Sequence, residues 1–325
     1  MDDKNTASNT AANDVILRVA WLYHVEGLTQ SDIAELLEMP RSRVIKLLRD
    51  GFDSGAVSIQ LSDKRFNCLA LEADLKRKLE LKDAFVMPTP QDTERLTELL
   101  GQAAASYLPK ILEDGMTLGT AWGATLLETA KHFRALERDH SAVVMMMGGI
   151  ADSLPAVNPN DIARMFAERL SGRMYYLCAP VLLENPELRE ALLCDPSIRT
   201  PLALAKACNV ALLGAGTVTP DATLTTAGIV SGPQLAELRA KGAVGDLLAR
   251  FYDANGEPVR TEFDGRVVGL ELADLRAIDT TLLVAGGLAK VPAILGALRG
   301  GYINTLVTDE VTAVKLLESH KVAIS

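Results

Sequence analysis

Apolar positions recur at helical spacing three times in the first sixty residues. Val15, Val19 and Leu22, with Ile16, Ala20 and Tyr23 beside them, predict a helix over residues 15–25. Glu26-Gly27-Leu28 ends it. Thr29 then caps a second helix, TQSDIAELLE, in which Asp32 stands three residues on as a capping-box partner and Ile33, Leu36 and Leu37 form the apolar stripe. A break at Glu38-Met39-Pro40 separates it from a third helix over residues 41–52. There Val44, Leu47 and Leu48 make one face, while Ser42, Lys46 and Arg49 fall at i, i+4 and i+7 on the other, flanked by Arg43. After Gly55, Ala56-Val57-Ser58-Ile59-Gln60-Leu61 alternates like a short strand.

The pattern changes further along. Residues 67–80 predict an amphipathic helix with Leu69, Leu75 and Leu79 apolar, read as a linker that also packs against a partner chain. From Asp83 onward, strand-like apolar runs alternate with helical stretches: AFVMP, MTLGTAW, SAVVMMM, RMYYLCAP, NVALLGAG, DLLARFYD, TTLLVAGG and INTLVTD. Such alternation predicts a doubly wound α/β domain with a largely parallel sheet. The expected organisation is a disordered arm at 1–13, a winged helix-turn-helix at 14–62, a linker helix at 63–82 and an α/β domain at 83–325.

Composition narrows the class. Hydrophobic residues make up 48% and charged residues 23%, which suits a folded, water-soluble chain. No apolar run is long enough to span a bilayer, and the polar start MDDKNTASNTAAND has no signal-peptide core, so a cytoplasmic location is expected. Cys68, Cys178, Cys194 and Cys208 form no CxxC pair and the four histidines do not cluster, so neither a structural zinc nor any other metal or cofactor is expected. Cys178 and Cys208 are expected to be buried.

The net charge of −9 discourages nucleic-acid binding, but its distribution does not. Between Pro40 and Asp50 four bases, Arg41, Arg43, Lys46 and Arg49, oppose the single acid Asp50. A cationic third helix after a tight turn suits the major groove of DNA, about 12 Å wide. Gln30 and Ser31, opening the second helix, lie where backbone phosphates would be, and Arg41, Ser42, Arg43, Lys46 and Arg49 are the candidate DNA-binding residues. The same pattern also describes a plain three-helix bundle with a solvated charged face.

In parallel sheets ligands collect at the carboxyl ends of the strands. In MTLGTAWGATLLETAKHF a strand ends at Gly119, and Thr120, Trp122, Gly123, Ala124 and Thr125 turn into a helix whose free N–H groups make an anion site. Other strands end at Gly148-Gly149, at Gly214 and Gly216, and at Gly286-Gly287, the last with Lys290 one helical turn on. Lys290 suits a phosphate dianion. Asp246, in the expected loop Gly242–Asp246 before a strand LLARFYDANG, could accept from sugar hydroxyls or cap a turn. Asn158 could cap the helix NPNDIARMFAERL or reach a ligand.

The sequence resembles the SorC family of sugar-responsive bacterial transcription regulators from about Val15 to its end. The resemblance rests on LYHVEGLTQSDIAELLEMPRSRVIKLL, LGTAWGATL, MGGIAD, NPNDIARMFAERL, YYLCAP, the GAVGD–RFYDANG pair, LLVAGGLAKVPAILGAL and INTLVTDEVTA, in that order. It implies an N-terminal helix-turn-helix and an effector domain similar to glucosamine-6-phosphate deaminase and ribose-5-phosphate isomerase. It further implies phosphorylated sugars or related effectors, and dimers or tetramers acting on double-stranded operators. Thr120, Trp122, Gly123, Ala124 and Thr125 match its phosphate-cradling loop, Gly148 and Gly149 its second strand end, and Asp246 and Lys290 its polar pocket positions. Met147 stands where some relatives carry arginine or another polar residue, so one phosphate or hydroxyl contact is absent.

Two other readings stay open at this point. A sugar-phosphate isomerase or deaminase with an appended DNA module would draw its acid and base from Asp246, Glu262, Asp264 or Asp309, with Lys290 as electrophile. A purely architectural DNA binder would have a degenerate pocket.

Overall fold

The structure is a computed structural model and describes residues 3–24, 26–54, 57, 64–150 and 158–322. The chain divides into two compact units, Met1–Ser62 and Asp63–Ser325.

The first unit holds α1 (Asp3–His24), α2 (Gln30–Leu36) and α3 (Arg41–Asp53). The capping box forms as its residues dictate: Thr29 Oγ1 accepts from the Asp32 amide at 3.3 Å, and Asp32 Oδ2 accepts from the Thr29 amide at 3.0 Å. The Thr29 hydroxyl also donates to Asp32 Oδ2 at 2.7 Å, and this bond, with that from the Thr29 amide, holds the Asp32 carboxyl below its ordinary value. Glu38 adopts a left-handed conformation in the α2–α3 turn. Val19, Leu22, Ile33, Val44 and Leu48 form the core, with Leu37 and Leu47 packed against it. Leu36, expected on the buried stripe of α2, is instead exposed. Residues 3–13, expected as part of a disordered arm, continue α1. Ala7, Ala11 and Ala12 are the best helix formers, and extension of an existing helix carries no new nucleation cost. Of the expected wing strand only Val57 falls among the described residues, and it packs against the three-helix core.

The second unit alternates strand and helix. Its elements are α4 (Lys64–Lys78), β1 (Asp83–Met87), α5 (Leu96–Tyr107), β2 (Thr117–Thr120), α6 (Ala124–His132), β3 (Ala142–Met145), α7 (Pro159–Leu170) and β4 (Arg173–Tyr175). Then follow α8 (Pro186–Cys194), α9 (Pro196–Lys206), β5 (Val210–Leu213), β6 (Gly216–Thr217), α10 (Thr223–Thr226), α11 (Gly232–Ala240), β7 (Ala243–Leu247) and β8 (Arg250–Asp253). The chain closes with α12 (Leu272–Leu275), β9 (Thr280–Val284), α13 (Val291–Arg299), β10 (Thr305–Asp309) and α14 (Glu310–Val322).

Seven strands form one sheet, ordered β1-β10-β9-β5-β2-β3-β4, and every pairing in it is parallel. Its central strands are apolar on both faces because helices cover both, as continuous runs such as Val210–Leu213 require. From β2 the chain steps outward to β3 and β4; from β5 it steps the other way to β9. The direction of winding therefore reverses between β2 and β5, which is where an open parallel sheet leaves a crevice.

Three expectations need correction here. The helix expected as a linker against a partner chain packs within its own unit: α4 lies on β1 and α14, Cys68 and Leu75 are buried, and Glu72 accepts a 2.9 Å bond from the Val86 amide of edge strand β1. The buried face runs through Cys68 and Leu75, which leaves Leu69 exposed. Gly242–Asp246 is not a loop and DLLARFYD is not one strand. Ala243–Leu247 and Arg250–Asp253 are two antiparallel strands, joined through Leu248 and Ala249, both at positive φ. Two successive positive φ values make the tight turn that matches strand twist, but Leu-Ala carries none of the usual turn residues that would reveal it. Cys178 is exposed, because only alternate residues beyond the short edge strand β4 turn inward; Cys208 is buried.

Candidate functional site

A cavity opens at the reversal point, beyond the carboxyl ends of β2, β5 and β9. The segment after β2 contributes Trp122, Gly123, Ala124 and Thr125, the segment after β5 contributes Gly214, Ala215 and Gly216, and the turn after β9 contributes Lys290. Asp246 and Leu248 enter from the β7–β8 hairpin, Thr97 from α5 and Thr223 from α10. The cavity volume is about 100 Å³.

One end of the cavity is suited to an anion. Gly123 precedes α6 at φ 126°, a conformation open to glycine, and no side chain caps the helix start. The first amides of α6 thus point outward without intrahelical partners, at the positive end of the helix dipole. Lys290 lies in the same cavity, half-buried, and among the described residues its ammonium makes no hydrogen bond or ion pair. Burial holds it below the ordinary lysine value, with the charge of Asp246 opposing.

Asp246 is 5% exposed. It is held by its strand pairings: Gly216 lies opposite it on β6 and Phe251 opposite it on β8. One carboxylate oxygen accepts from the Ala249 amide at 3.2 Å, across the tight turn. The hairpin is anchored behind it by Arg250, whose Nη2 donates to Glu271 at 2.7 Å and whose Nη1 donates to the Asp264 carbonyl at 2.8 Å. Burial pushes the Asp246 carboxyl up to about 7, against the Ala249 amide and the Lys290 charge.

Not every expected effector residue reaches this cavity. Trp122, Gly123, Ala124, Thr125, Asp246 and Lys290 line it together; Gly119, Thr120, Gly148, Gly149 and Asn158 do not. Gly119 packs against Cys208 Sγ and Met146 Sδ, where a β-carbon would stand 2.8–2.9 Å from sulfur. Thr120 is fully buried on β2. The Gly148 and Gly149 amides donate to the Val268 and Ala179 carbonyls, so neither is open to a ligand. Asn158 caps α7, accepting from the Asn160 amide at 3.0 Å and donating to the Ile150 carbonyl at 3.0 Å.

The Gly287 amide is likewise engaged, by Asp309 Oδ1 at 3.0 Å and Thr312 Oγ1 at 2.7 Å. Gly214 and Gly216 are strand-end glycines legible in the sequence. Thr97, Thr223 and Leu248 carried no local signal, because helices and a hairpin distant in sequence bring them in.

Of the four carboxylates that an isomerase or deaminase could use, Asp246 alone lines the cavity. Asp309 is 1% exposed and also accepts from Thr89 Oγ1 at 2.8 Å, clamping the ends of β1, β9 and β10 together. Asp264 accepts from the Thr261 amide and Glu262 from Gln234 Nε2. Among the described residues no group of His, Cys, Asp and Glu side chains could hold a metal ion. No helix there is long and apolar enough to cross a membrane.

In the first unit, Ser31, Arg41, Ser42, Arg43, Lys46 and Arg49 are all exposed and Gln30 is half-buried. Gln30 Oε1 accepts from Arg41 Nη2 at 3.5 Å, linking the start of α2 to the start of α3.

A cavity of this make at the switch point of a parallel sheet, carried on one chain with a helical unit that exposes a cationic helix, defines a ligand-binding regulator. Known proteins agree. Residues 63–318 match the family described as "Putative sugar-binding domain". The chain is 34% identical to the transcriptional regulator LsrR of Klebsiella pneumoniae, over 93% of this chain and 92% of that protein. It is also 34% identical to the deoxyribonucleoside regulator of Bacillus subtilis, over 91% and 95%. The full-length sorbitol operon regulator SorC of Klebsiella pneumoniae superposes with a TM-score of 0.73 at 30% identity, over 94% of this chain and 99% of that one. This chain belongs to the SorC family of sugar-binding transcriptional regulators.

Proposed function

We propose that the chain regulates a carbohydrate catabolism operon, and that a sugar, polyol or sugar phosphate bound in the switch-point cavity sets its affinity for DNA. The observation that carries this reading is the convergence of the uncapped start of α6, Lys290 and Asp246 in one cavity. A phosphate sits on the amides of Ala124 and Thr125 with Lys290 as its counter-charge, and Asp246 faces a hydroxyl of the sugar. The relatives named for sorbitol and deoxyribonucleosides support a carbohydrate-type ligand.

On this reading residues 14–62 act as a winged helix-turn-helix. Arg41, Ser42, Arg43, Lys46 and Arg49 meet base edges and phosphates, and Gln30 and Ser31 meet the backbone. The α/β unit is an isomerase-like domain that binds rather than turns over its ligand. A cytoplasmic homodimer or homotetramer reads paired half-sites about 34–36 Å apart or multiples of that. The effector favours one arrangement of the subunits, for which ~1–3 kcal/mol of coupling suffices.

The test is thermal unfolding against a panel of sugars, polyols and their phosphates. A ligand at 100 times its Kd adds about 2.7 kcal/mol. A hit that Lys290→Ala abolishes supports the site; stabilisation by no member of the panel overturns it.

A further inference from the structure

Asp246 and Lys290 are the two titratable side chains among the residues that line the cavity. They do not neutralise each other by contact: no ion pair within 4.0 Å joins them. Among the described residues Asp246 has one hydrogen-bond donor, the Ala249 amide, and its other oxygen is pressed against the Cα side of Gly216. The remaining titratable group facing it is Tyr252 of β8, whose hydroxyl donates to the Ala293 carbonyl at 2.9 Å and which burial keeps protonated. Strand β6 and helix α13 bring no charged group to this carboxyl.

A buried carboxylate with one donor is poorly compensated. A second anion at the start of α6 adds repulsion inside the same enclosed space, where charges are weakly screened. A proton on the carboxyl removes that repulsion and turns an acceptor into a donor toward a ligand oxygen.

We propose that anion binding in this cavity takes up one proton, held on the Asp246 carboxyl, so that the effector enters as anion plus proton. This rests on the cavity being the effector site and adds a regulation to it: affinity falls as pH rises. The empty site is half deprotonated at about pH 7, so the loss of affinity sets in around that value. The bound anion raises the carboxyl further, and the two values bound the sensitive window.

Sulfate is the probe, because it stays a dianion throughout this range and any pH dependence belongs to the protein. Trp122 lines the cavity and reports occupancy by fluorescence; Trp21→Phe in the other unit removes the one other tryptophan. In this background the sulfate Kd is expected to be flat from about pH 6 to 7 and then to rise, approaching tenfold per pH unit, the limit for one coupled proton. With Asp246→Asn added, the rise is expected to vanish, and sulfate should bind at about pH 8 at least as tightly as before.

A Kd independent of pH without the Asp246 change, or a slope that survives Asp246→Asn, overturns the proposal and leaves the anion site standing. Failure of sulfate, inorganic phosphate and ribose 5-phosphate to perturb Trp122 at any pH overturns the anion site and the proton coupling with it. A flat profile without the Asp246 change overturns the proposal even if the Asn variant folds poorly.

Discussion

Gly216 and Asp246 face each other across the β6–β7 pairing, and the carboxyl group of Asp246 occupies the space that a side chain at position 216 would need. A β-carbon there would overlap Oδ1 and stand 2.9 Å from Cγ, both of the buried Asp246 side chain, so the carboxyl itself would have to move. Gly216→Ala is therefore expected to push the carboxyl out of place at about 1–3 kcal/mol of stability, the usual cost of overpacking. It should also weaken effector binding. Thermal unfolding and ligand titration of the same variant check both; unchanged ligand affinity would remove Asp246 from the site.

Lys290 is the one cationic side chain among the residues lining the cavity. Lys290→Ala should reduce affinity for anionic ligands by one to two orders of magnitude, the roughly 1.5–3 kcal/mol of a hydrogen bond to a charged group. Affinity for DNA without effector should not change. Isothermal titration with a phosphorylated hit, beside an operator-binding assay, separates the two.

The pH dependence of stability follows from the Asp246 carboxyl, raised to about 7 from an ordinary 3.8. The folded state keeps this proton where the unfolded chain has lost it. The group's contribution is thus most favourable below about pH 4, declines as pH rises and is fully unfavourable above about 7. Asp246→Asn is expected to stabilise the protein at pH 8 relative to its effect at pH 5. At 1.36 kcal/mol per unit the ceiling for the difference between these two pH values is about 2.6 kcal/mol, because part of the linkage is already lost at pH 5, and denaturant melts at the two pH values measure it. Equal effects at both would show that the carboxyl titrates normally.

Arg43 and Lys46 stand on the solvated face of α3. Changing either to Ala should alter stability by no more than about 0.5 kcal/mol. Each loss of a phosphate contact should lower the salt dependence of DNA binding by about one unit of slope. Loss of folding would show that the face is packed instead.

Asp309 ties Thr89, Gly287 and Thr312 together from the end of β10. Asp309→Ala takes this acceptor from the Thr89 and Thr312 hydroxyls, while the Gly287 amide keeps Thr312 Oγ1, and should cost on the order of 1–3 kcal/mol for each group left unsatisfied. A variant that kept full stability while losing ligand binding would instead make Asp309 part of the site.

The sequence by itself determined the local features. Thr29 and Asp32 had to cap α2, the i, i+4, i+7 placement of Ser42, Lys46 and Arg49 separated a solvated face from a packed one, and continuous apolar runs required a doubly covered parallel sheet. Each is fixed by neighbours within one or two turns or one strand. Glycines at strand ends also marked where a cavity opens, and six of the eleven expected effector residues line it.

Tertiary structure decided the rest, because its causes lie far apart in the chain. Strand order places the segments after β2 and β5 side by side, and neither segment encodes that neighbourhood. Gly148 and Gly149 look like Gly214 and Gly216 in sequence, yet their amides are spent on Val268 and Ala179. Asp309 reads as a free strand-end acid until Thr89 and Thr312 meet it. The turn at Leu248-Ala249 forms because burial and strand pairing outweigh the poor left-handed preference of both residues. That same turn carries Asp246 into an enclosed site, where burial raises its carboxyl far above the value its residue type alone would give.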